Sequence, residues 1–303
     1  MKAVLLSGGG GGARFARGLQ AVLDPGELTV IGNVGDDLDI LGLHISPDLD
    51  SLVYTLGGLI DLERRWGRAD ETWNALESIS AWGGPDWFRL GDRDLGLHLV
   101  RATALAEGTT LSQITRDLAL RAGVESVLLP ASDDDLRTHV TTPAGTFPFQ
   151  EWFVGRHHKD DVDAVDYRGA ADARPAPGVL DAIHAADAIL LAPSNPLLSV
   201  GPILAVAEIR TAIAMRARPC LAVSPLIGGE AVTGPLGRML SRMAGGTTPA
   251  HLARCYDGLI DVLVIDEADA PATADVDLVV TGTLMTDVDS ERRLAEVVLG
   301  ACG

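Results

Sequence analysis

The hydrophobic residues of this chain fall into short runs, and most of these runs end in a polar or glycine-rich cluster. The runs do not alternate with a period of two, which is typical of strands buried on both faces of a parallel sheet. Between the runs, apolar positions recur with helical spacing, as in Phe15, Leu19 and Val22 and in the stretches 111–122 and 292–299. The predicted strands are 2–6, 28–31, 127–129, 188–191, 221–223 and 279–280.

Strands that alternate with helices indicate an α/β fold with a doubly wound, mostly parallel, Rossmann-like sheet. In such sheets, ligands bind outside the carboxyl ends of the strands, where the strand order reverses. The polar clusters of this chain follow the predicted strands directly. We therefore expect the chemistry of the protein at this edge of the sheet.

One segment breaks the alternation, because 139–142 and 146–154 predict an antiparallel hairpin rich in aromatic residues. We interpret 131–178 as an inserted hairpin or lid segment, and 1–130 with 179–303 as the Rossmann-like core. A second irregular stretch, 66–94, holds four of the five tryptophans. Both segments are candidates to cover the strand ends by stacking on a ligand, and for each aromatic side chain core packing is the alternative.

Composition and charge narrow the class of protein. The 303 residues are 47% hydrophobic and carry 24 Lys and Arg against 42 Asp and Glu, a net charge of −18. This balance argues against a nucleic-acid binder, although backbone N–H groups, a few arginines and a metal can still hold a nucleotide. Cys220, Cys255 and Cys302 lie far apart, so neither disulfides nor a zinc site is expected. With no membrane span or secretion signal in the sequence, we expect a cytoplasmic protein.

A run of five glycines stands between the first predicted strand and the following helix, namely Gly8, Gly9, Gly10, Gly11 and Gly12. Glycine lets the backbone approach a phosphate, and a helix N-terminus offers free N–H groups, so the loop predicts a nucleotide site. A tight turn without ligand is the alternative. Arg14 and Arg17 either reach a phosphate or lie on a solvated face. A nicotinamide dehydrogenase needs an acid at the end of the second strand, and Asn33 stands there instead.

Carboxylates cluster after the second predicted strand, and four of those in the 15 residues 36–50 are candidates for the site, namely Asp36, Asp37, Asp48 and Asp50. Mg²⁺ prefers one or two carboxylates together with substrate phosphates and water, so Asp36, Asp37 and Asp48 are candidate ligands. Helix capping is the alternative for Asp48. A metal-dependent glycosyltransferase or nucleotidyltransferase would instead use Asp48 and Asp50 as a DxD pair.

Two further clusters are candidates for substrate binding. Arg89, Asp92 and Arg93 mix cations and acids beside a glycine, which suits a polar heterocycle or a phosphate; a surface ion-pair cluster is the alternative. Ser194, Asn195 and Pro196 follow a buried strand, and an asparagine can both donate and accept along a guanine or ribose edge. A plain turn is the alternative there.

Taken together, the motifs resemble those of one family. They are SGGGGGARFARGL (7–19), NVGDD (33–37), SPDLDSLVYTLGGLID (46–61), RWGRADETW (65–73), LGDRD (90–94), LPASDD (129–134), FQEWFVG (149–155), LAPSNPLLSVGPIL (191–204), VSPLIGG (223–229) and LMTD (284–287). In this order they resemble the 2-phospho-L-lactate transferases, which make the first phosphodiester of the deazaflavin coenzyme F-420.

The resemblance implies a homodimer and a Mg²⁺-dependent transfer to the ribityl hydroxyl of 7,8-didemethyl-8-hydroxy-5-deazariboflavin. The donor would be a guanosine diphosphate ester of 2-phospholactate or phosphoenolpyruvate, and GMP would leave. Asp50 and Arg89 correspond to deazaflavin-contacting positions of the family, and the glycine loop with Ser194, Asn195 and Pro196 corresponds to its nucleotide side.

In this interpretation Asp50 hydrogen-bonds the ribityl chain and accepts the hydroxyl proton. Many family members have Thr or Val inside the glycine loop, where this chain has only glycine. The GGARF form is similar to a bacterial branch in which phosphoenolpyruvyl donors are expected, and no single residue decides between the donors. A nucleotide-sugar-binding regulatory protein of related fold is the alternative function.

Overall fold

A computed structural model describes all 303 residues as alternating strands and helices. The strands are β1 (Ala3–Ser7), β2 (Leu28–Gly32), β3 (Leu38–Ile40), β4 (Leu43–Ile45), β5 (Val127–Pro130), β6 (Arg137–Thr142), β7 (Gly145–Pro148), β8 (Ala164–Arg168), β9 (Ala188–Leu191), β10 (Cys220–Val223), β11 (Leu226–Ile227), β12 (Glu230–Ala231), β13 (Val262–Ile265) and β14 (Asp277–Val280). The helices are α1 (Gly11–Gln20), α2 (Pro47–Leu56), α3 (Asn74–Ala81), α4 (Asp92–Ala106), α5 (Leu111–Arg121), α6 (Val179–Ala185), α7 (Gly201–Ala205), α8 (Ala207–Ala214), α9 (Leu236–Met243), α10 (Pro249–Arg254) and α11 (Val288–Gly300).

Seven strands form one parallel sheet in the order β14-β13-β10-β9-β1-β2-β5. The chain builds the sheet outward from β1, first through β2 and β5 and then on the other side through β9 and its successors. The order therefore reverses between β1 and β9, which is where doubly wound sheets bind ligands. The predicted Rossmann-like α/β class is confirmed.

Both faces of this sheet are covered by helices, and β1 shows how. Val4 and Leu6 belong to one hydrophobic core, and Ala3 and Leu5 belong to the other. Successive strand side chains point to opposite faces, so a strand buried on both sides shows no apolar–polar alternation. Helix α1 packs on the second core through Phe15, and α11 packs beside it.

The inserted segment differs from the predicted two-stranded hairpin. It forms a three-stranded antiparallel sheet in the order β7-β6-β8. The strand predicted over 146–154 is wrong beyond Pro148, because the chain turns into the π-helical turn Glu151–Gly155. Trp152 is fully buried and packs with Leu198 and Met239 in a separate small hydrophobic cluster, so this ring is a packing residue and not a stacking surface.

No single helix is long and apolar enough to cross a membrane. The segments Pro196–Ala205 and Ala207–Ala214 reach that length and composition only as a pair, and they are bent by 94° relative to each other.

Candidate functional site

The glycine loop occupies the switch point of the sheet, between the ends of β1 and β9. A Cβ atom on Gly8 would lie 2.6 Å from Cβ of Ser199 and 2.9 Å from Oδ2 of Asp48. A Cβ on Gly12 would lie 2.6 Å from Oγ of Ser194. Glycine is therefore required because the start of α2 and the segment after β9 press against the loop. The predicted glycine, Asp48 and Ser194 positions do converge.

Asn33 holds these parts together at the end of β2. Its fully buried amide donates to Oδ2 of Asp48 at 2.9 Å and to the Leu198 carbonyl at 3.3 Å, and it accepts from the Gly35 N–H at 2.8 Å. Because its amide groups already have protein partners, the structure gives Asn33 a positioning role. Both N–H groups of the Asn33 side chain are used within the protein, so none is free for the predicted contact with a nucleotide.

Asp48 lies in the first turn of α2 and directs its carboxylate at the glycine loop. Ser46 precedes the helix, and no side chain caps it, so the capping interpretation of Asp48 is wrong. Burial raises the pKa of Asp48 to about 6, although hydrogen bonds from Asn33 and the Gly9 backbone favour the charged form. Burial and the Asp48 charge raise the pKa of Asp36 well above its ordinary value.

The pair Asp36 and Asp48 fits a Mg²⁺ ion. Oδ1 of Asp36 is buried and has no hydrogen-bond partner, and a second carboxylate lies close enough to repel it. Two carboxylates completed by substrate phosphates are what Mg²⁺ commonly takes in proteins. No group of three or more His, Cys, Asp and Glu side chains is arranged to hold a metal ion by itself, so phosphates and water would have to complete the coordination.

Asp37, the third predicted ligand, faces a different neighbour. Its Oδ2 accepts from Oγ of Ser46 at 2.9 Å and lies 3.0 Å from Nε2 of His44 on β4. Burial raises the pKa of Asp37, and His44 opposes that shift. The three predicted metal ligands are thus divided. Asp36 lies close enough to Asp48 for their charges to interact, whereas Asp37 contacts His44 of the β3–β4 hairpin.

Asp50 follows Asp48 by two positions, which places it about 200° around the axis of α2. Both of its oxygens accept from the Arg101 guanidinium of α4, at 3.1 Å from Nη1 to Oδ2 and through a second bond from Nη2 to Oδ1. Nδ1 of His98 lies 3.8 Å from Oδ2. Asp48 and Asp50 therefore face different partners, and the DxD interpretation is wrong.

Arg101 and His98 are site residues that the sequence did not single out. They are the two buried residues of α4, at 1% exposure each, whereas Leu99 and Val100 are 56% and 59% exposed. A helix that turns its charged residues inward reverses the usual amphipathic arrangement. The available signal was this His-x-x-Arg spacing, three apart, in the mostly apolar part of α4 that follows its charged first turn.

The predicted Arg89–Arg93 cluster is split between two environments. The exposed Arg89 guanidinium lies 4.4 Å from the centroid of the Trp73 ring. The Asp92 carboxylate instead accepts hydrogen bonds from Thr72 and from the first residues of α3, and these bonds lower its pKa to about 2. Arg93 is exposed. Asp92 thus anchors α3, which leaves Arg89 as the member suited to a ligand.

Arg89 is part of a partly exposed cluster that we call the tryptophan rim, formed by Arg64, Trp66, Trp73 and Arg89. The Arg64 guanidinium lies 5.5 Å from the centroids of both tryptophan rings, which are 6.2 Å apart. Arg64 of the rim donates to the Arg68 carbonyl at 2.7 Å, and the Arg68 guanidinium lies 5.8 Å from the centroid of the Tyr54 ring on α2. The Tyr54 hydroxyl donates to Asp94, which lies 3.3 Å from Nε2 of His98, so the rim is connected to the Asp50 network. Partly exposed aromatic rings flanked by guanidinium groups suit a flat heterocycle.

The segment after β9 supplies one free polar group. Oγ of Ser194 is buried beside the glycine loop and has no partner. Asn195 instead accepts from the N–H groups of Leu197 and Leu198 at 2.9 and 3.2 Å, and so caps the π-helical turn Pro196–Val200. Ser194 is therefore available to a ligand, while Asn195 and Pro196 shape the turn.

Arg14 and Arg17 do not lie on a solvated face, because an acid of the neighbouring helix holds both. Both pair with Glu291 of α11, with Nε atoms 3.0 and 2.8 Å from its carboxylate oxygens. The Glu291 side chain is fully buried, so it needs the two cations.

Two side chains of the inserted segment 131–178 hydrogen-bond to the backbone near the glycine loop. The Gln150 side chain donates to the Asp36 carbonyl at 3.3 Å, and the Tyr167 hydroxyl donates to the Leu197 carbonyl at 2.5 Å. These bonds fix the backbones of both segments that flank the glycine loop.

Known proteins resemble this chain over nearly its full length. A family model described as 2-phospho-L-lactate transferase CofD matches residues 3–299. A phosphoenolpyruvate transferase of Kitasatospora aureofaciens is 46% identical and covers 99% of this chain and 97% of its own length. The phosphoenolpyruvate transferase of Streptomyces coelicolor is 42% identical, with coverages of 99% and 97%.

A solved structure of a UPF0052-family protein from Bacillus halodurans has a TM-score of 0.65 at 17% identity, and the match covers 98% of each chain. That likeness concerns the fold alone. The family model and the relatives carry the assignment, and the chain belongs to the 2-phospho-L-lactate transferase family, a family of transferases.

Proposed function

We propose that this chain transfers a phosphoenolpyruvyl group from its guanosine diphosphate ester to the terminal ribityl hydroxyl of 7,8-didemethyl-8-hydroxy-5-deazariboflavin, in coenzyme F-420 biosynthesis. The names of the relatives support the phosphoenolpyruvyl donor. The observation that carries the reaction class is the approach of the Asp48 carboxylate to Gly8 and Gly9 at the switch point. A phosphate loop beside paired buried acids suits a diphosphate substrate.

In the proposed step, the ribityl oxygen attacks the phosphorus that bears the enolpyruvyl group. The bond from this phosphorus to the oxygen bridging the two phosphates breaks, and GMP leaves with that oxygen. The hydroxyl proton is lost, so the products are the phosphodiester and GMP. Such transfers depend on positioning and charge neutralisation more than on covalent chemistry.

The residues around the glycine loop would hold the donor. Backbone N–H groups of the loop would contact the diphosphate, and Oγ of Ser194 is free to join them. Asp36 and Asp48 would hold Mg²⁺, which when bound supplies positive charge to the diphosphate and the departing GMP. Asn33 keeps Asp48 in place for this purpose.

Asp50 would contact the acceptor. Its side chain is 6% exposed and fixed by Arg101, so only an edge of the carboxylate is open to a hydroxyl group. In a loose phosphoryl-transfer transition state the nucleophile gives up its proton late, and a weakly basic carboxylate is sufficient. The tryptophan rim would bind the flat deazaflavin ring, with Arg89 above Trp73.

A mass-spectrometric assay tests the proposal. Purified protein is incubated with the deazaflavin, Mg²⁺ and the guanosine diphosphate ester of either phosphoenolpyruvate or 2-phospholactate. We expect the phosphoenolpyruvyl product with an equal amount of GMP. Formation of the phospholactyl product alone would overturn the proposed phosphoenolpyruvyl donor. Binding of the substrates without formation of any product would overturn the proposed transfer and favour a regulatory protein. The homodimer and the cytoplasmic location stay predictions, and light scattering tests the first.

A further inference from the structure

A cavity of about 250 Å³ lies beside the glycine loop. Helix α1, helix α2, the loop after α2 and the start of α11 enclose it. The residues that matter here are Gly10, Arg14, Arg17, Ser51, Thr55 and Arg65. None of these side chains has a part in the transfer described above.

Three arginines line this cavity, and the three acids at or beside it are each engaged with partners other than Arg65. Glu291 pairs with both Arg14 and Arg17. Asp61 pairs with Arg64, outside the lining, at 2.8 Å. Asp287 accepts from the Ser290 N–H and caps α11. Arg65 has no acidic partner.

Arg65 is also held in an unusual conformation. Its φ of 63° lies in the left-handed region, which non-glycine residues rarely adopt, and its N–H donates to the Asp61 carbonyl at 2.9 Å. The loop thereby keeps a guanidinium at the cavity that the fold does not use for an ion pair.

The cavity also offers unused hydrogen-bond donors. Arg14 and Arg17 bond through Nε and Nη2 only, which leaves Nη1 of each without a partner. The hydroxyl groups of Ser51 and Thr55 make no hydrogen bond within the protein, although Thr55 is 97% buried (3% exposed). Guanidinium N–H groups with hydroxyl groups form a site for a carboxylate or a phosphate.

The place of the cavity links it to the donor. Gly10 belongs both to the glycine loop and to the cavity wall, and Oγ of Ser51 lies 3.1 Å from where a Cβ on Gly9 would be. An anion in the cavity is therefore next to phosphates bound at the loop. In the proposed donor, the anionic group beyond the diphosphate is the carboxylate of the three-carbon acid.

We infer that this cavity is the subsite for the carboxylate of the transferred three-carbon acid, with Arg65 as the residue that recognises it. This inference rests on the proposed function, because it takes the donor from there. It deepens that function by assigning the part of the protein that selects an acid ester over a neutral ester.

Calorimetric binding without acceptor tests the inference, with two donors and Mg²⁺ present. One donor is the guanosine diphosphate ester of phosphoenolpyruvate, and the other is the guanosine diphosphate ethyl ester, which lacks the carboxylate. We expect the wild-type protein to prefer the acid ester, and Arg65→Ala to weaken its binding about tenfold or more without changing that of the ethyl ester. Arg65→Lys should restore part of the preference.

Arg116→Ala is the matched control, since Arg116 is an exposed arginine of α5 without an ion pair and its loss changes the net charge equally. It should leave both affinities unchanged. Equal weakening of both esters by Arg65→Ala, or no weakening, would overturn the subsite. The subsite would also be overturned if Arg65→Ala weakened the binding of inorganic phosphate but left the affinities for both esters unchanged.

Turnover separates this inference from the proposed function. Product formation with an unchanged donor KM in Arg65→Ala would leave the function standing and remove the subsite. A carboxylate preference that depends on Arg65, in a protein that forms no product, would support the subsite and remove the proposed transfer.

Discussion

Asp48 and Asp50 are two residues apart on α2, yet their carboxylates serve opposite sides of the helix. Asp48 faces the glycine loop through Asn33, and Asp50 faces the buried Arg101 of α4. In the proposed function, one short segment would thus place one acid at the donor phosphates and another near the acceptor. The first predictions follow from this division.

Asp50→Asn is expected to lower turnover at least tenfold and also to destabilise the fold. Asparagine keeps the shape but leaves the Arg101 cation buried without its counter-charge, and such a loss costs about 3–5 kcal/mol. Turnover is measured under conditions where urea titration shows the variant to be folded. Asp166→Asn is the control, because Asp166 is 67% exposed and its ion pair is superficial. Wild-type turnover in the folded variant would contradict the role.

Arg101→Met is expected to lower turnover to a similar extent, because Asp50 loses the group that orients it. The effects of substitutions at two residues of one ion pair are not additive. The fold-loss of turnover in the double variant Asp50→Asn/Arg101→Met should therefore be smaller than the product of the two single fold-losses. A double-mutant cycle on the free energy of unfolding and on kcat measures this. Full additivity in both would show that the pair does not act as a unit.

Asp48→Asn is expected to raise stability at pH 7 and to abolish stabilisation by Mg²⁺. The pKa of Asp48 is about 6 in the folded protein against an ordinary 3.8. Between these values the native state holds more protons than the unfolded chain, so this group lowers stability as pH rises from about 4 to about 6. Thermal melts from pH 4 to 7, with and without Mg²⁺, check this.

The two proteins should converge near pH 4 in these melts and differ most above pH 6. Added Mg²⁺ should raise the Tm of the wild-type protein at pH 7 and leave that of Asp48→Asn unchanged. A variant that is less stable at pH 7, or that still responds to Mg²⁺, would argue against the buried charge at this position.

Two substitutions in the glycine loop are expected to have different effects, one on turnover and the other mainly on stability. Gly8→Ala would push its methyl group against Asp48 and Ser199, so turnover should fall at least tenfold. Gly10→Ala meets no atom within 4 Å, but the φ of 50° and ψ of −113° at this position suit glycine and cost about 1–3 kcal/mol of stability for a residue with a Cβ. Kinetics and urea titration of both variants test this, and a larger loss of turnover in Gly10→Ala would contradict the close-approach argument.

Glu291→Gln is expected to destabilise the protein by about 3 kcal/mol, because Arg14 and Arg17 then lack the buried anion that neutralises them. Glu296→Gln on the same helix is the control. Glu296 is 51% exposed and pairs with an exposed Arg292, so its loss should cost less than about 1 kcal/mol. Urea titration of both variants measures the difference, and equal effects would contradict the expectation.

The strands were predictable because a doubly covered sheet demands apolar runs, and all six predicted strands are present. The missed strand β13 has the same pattern in Val262–Ile265. The error in the insertion has a physical cause: Phe149, Trp152 and Phe153 are spaced three and four apart, which is the period of a helix and not of a strand. The turn at Glu151 follows that period.

The site was predictable where strand ends bring residues together, as for Gly8, Asn33, Asp48 and Ser194. Arg101 and His98 could not be found in this way. They lie on a helix outside the strand-end loops, and the sequence of α4 does not reveal which of its faces is buried. Contacts between helices decide that, and they depend on the whole fold.

The interior position of β1 in the sheet has a consequence for synthesis of the chain. Its partner on one side, β9, begins at Ala188, so a nascent chain that ends earlier exposes one edge of a fully buried strand. Unpaired strand edges recruit other chains. Fragments that stop within the insertion should therefore aggregate, and the catalytic cleft can assemble only when nearly two thirds of the protein has been translated.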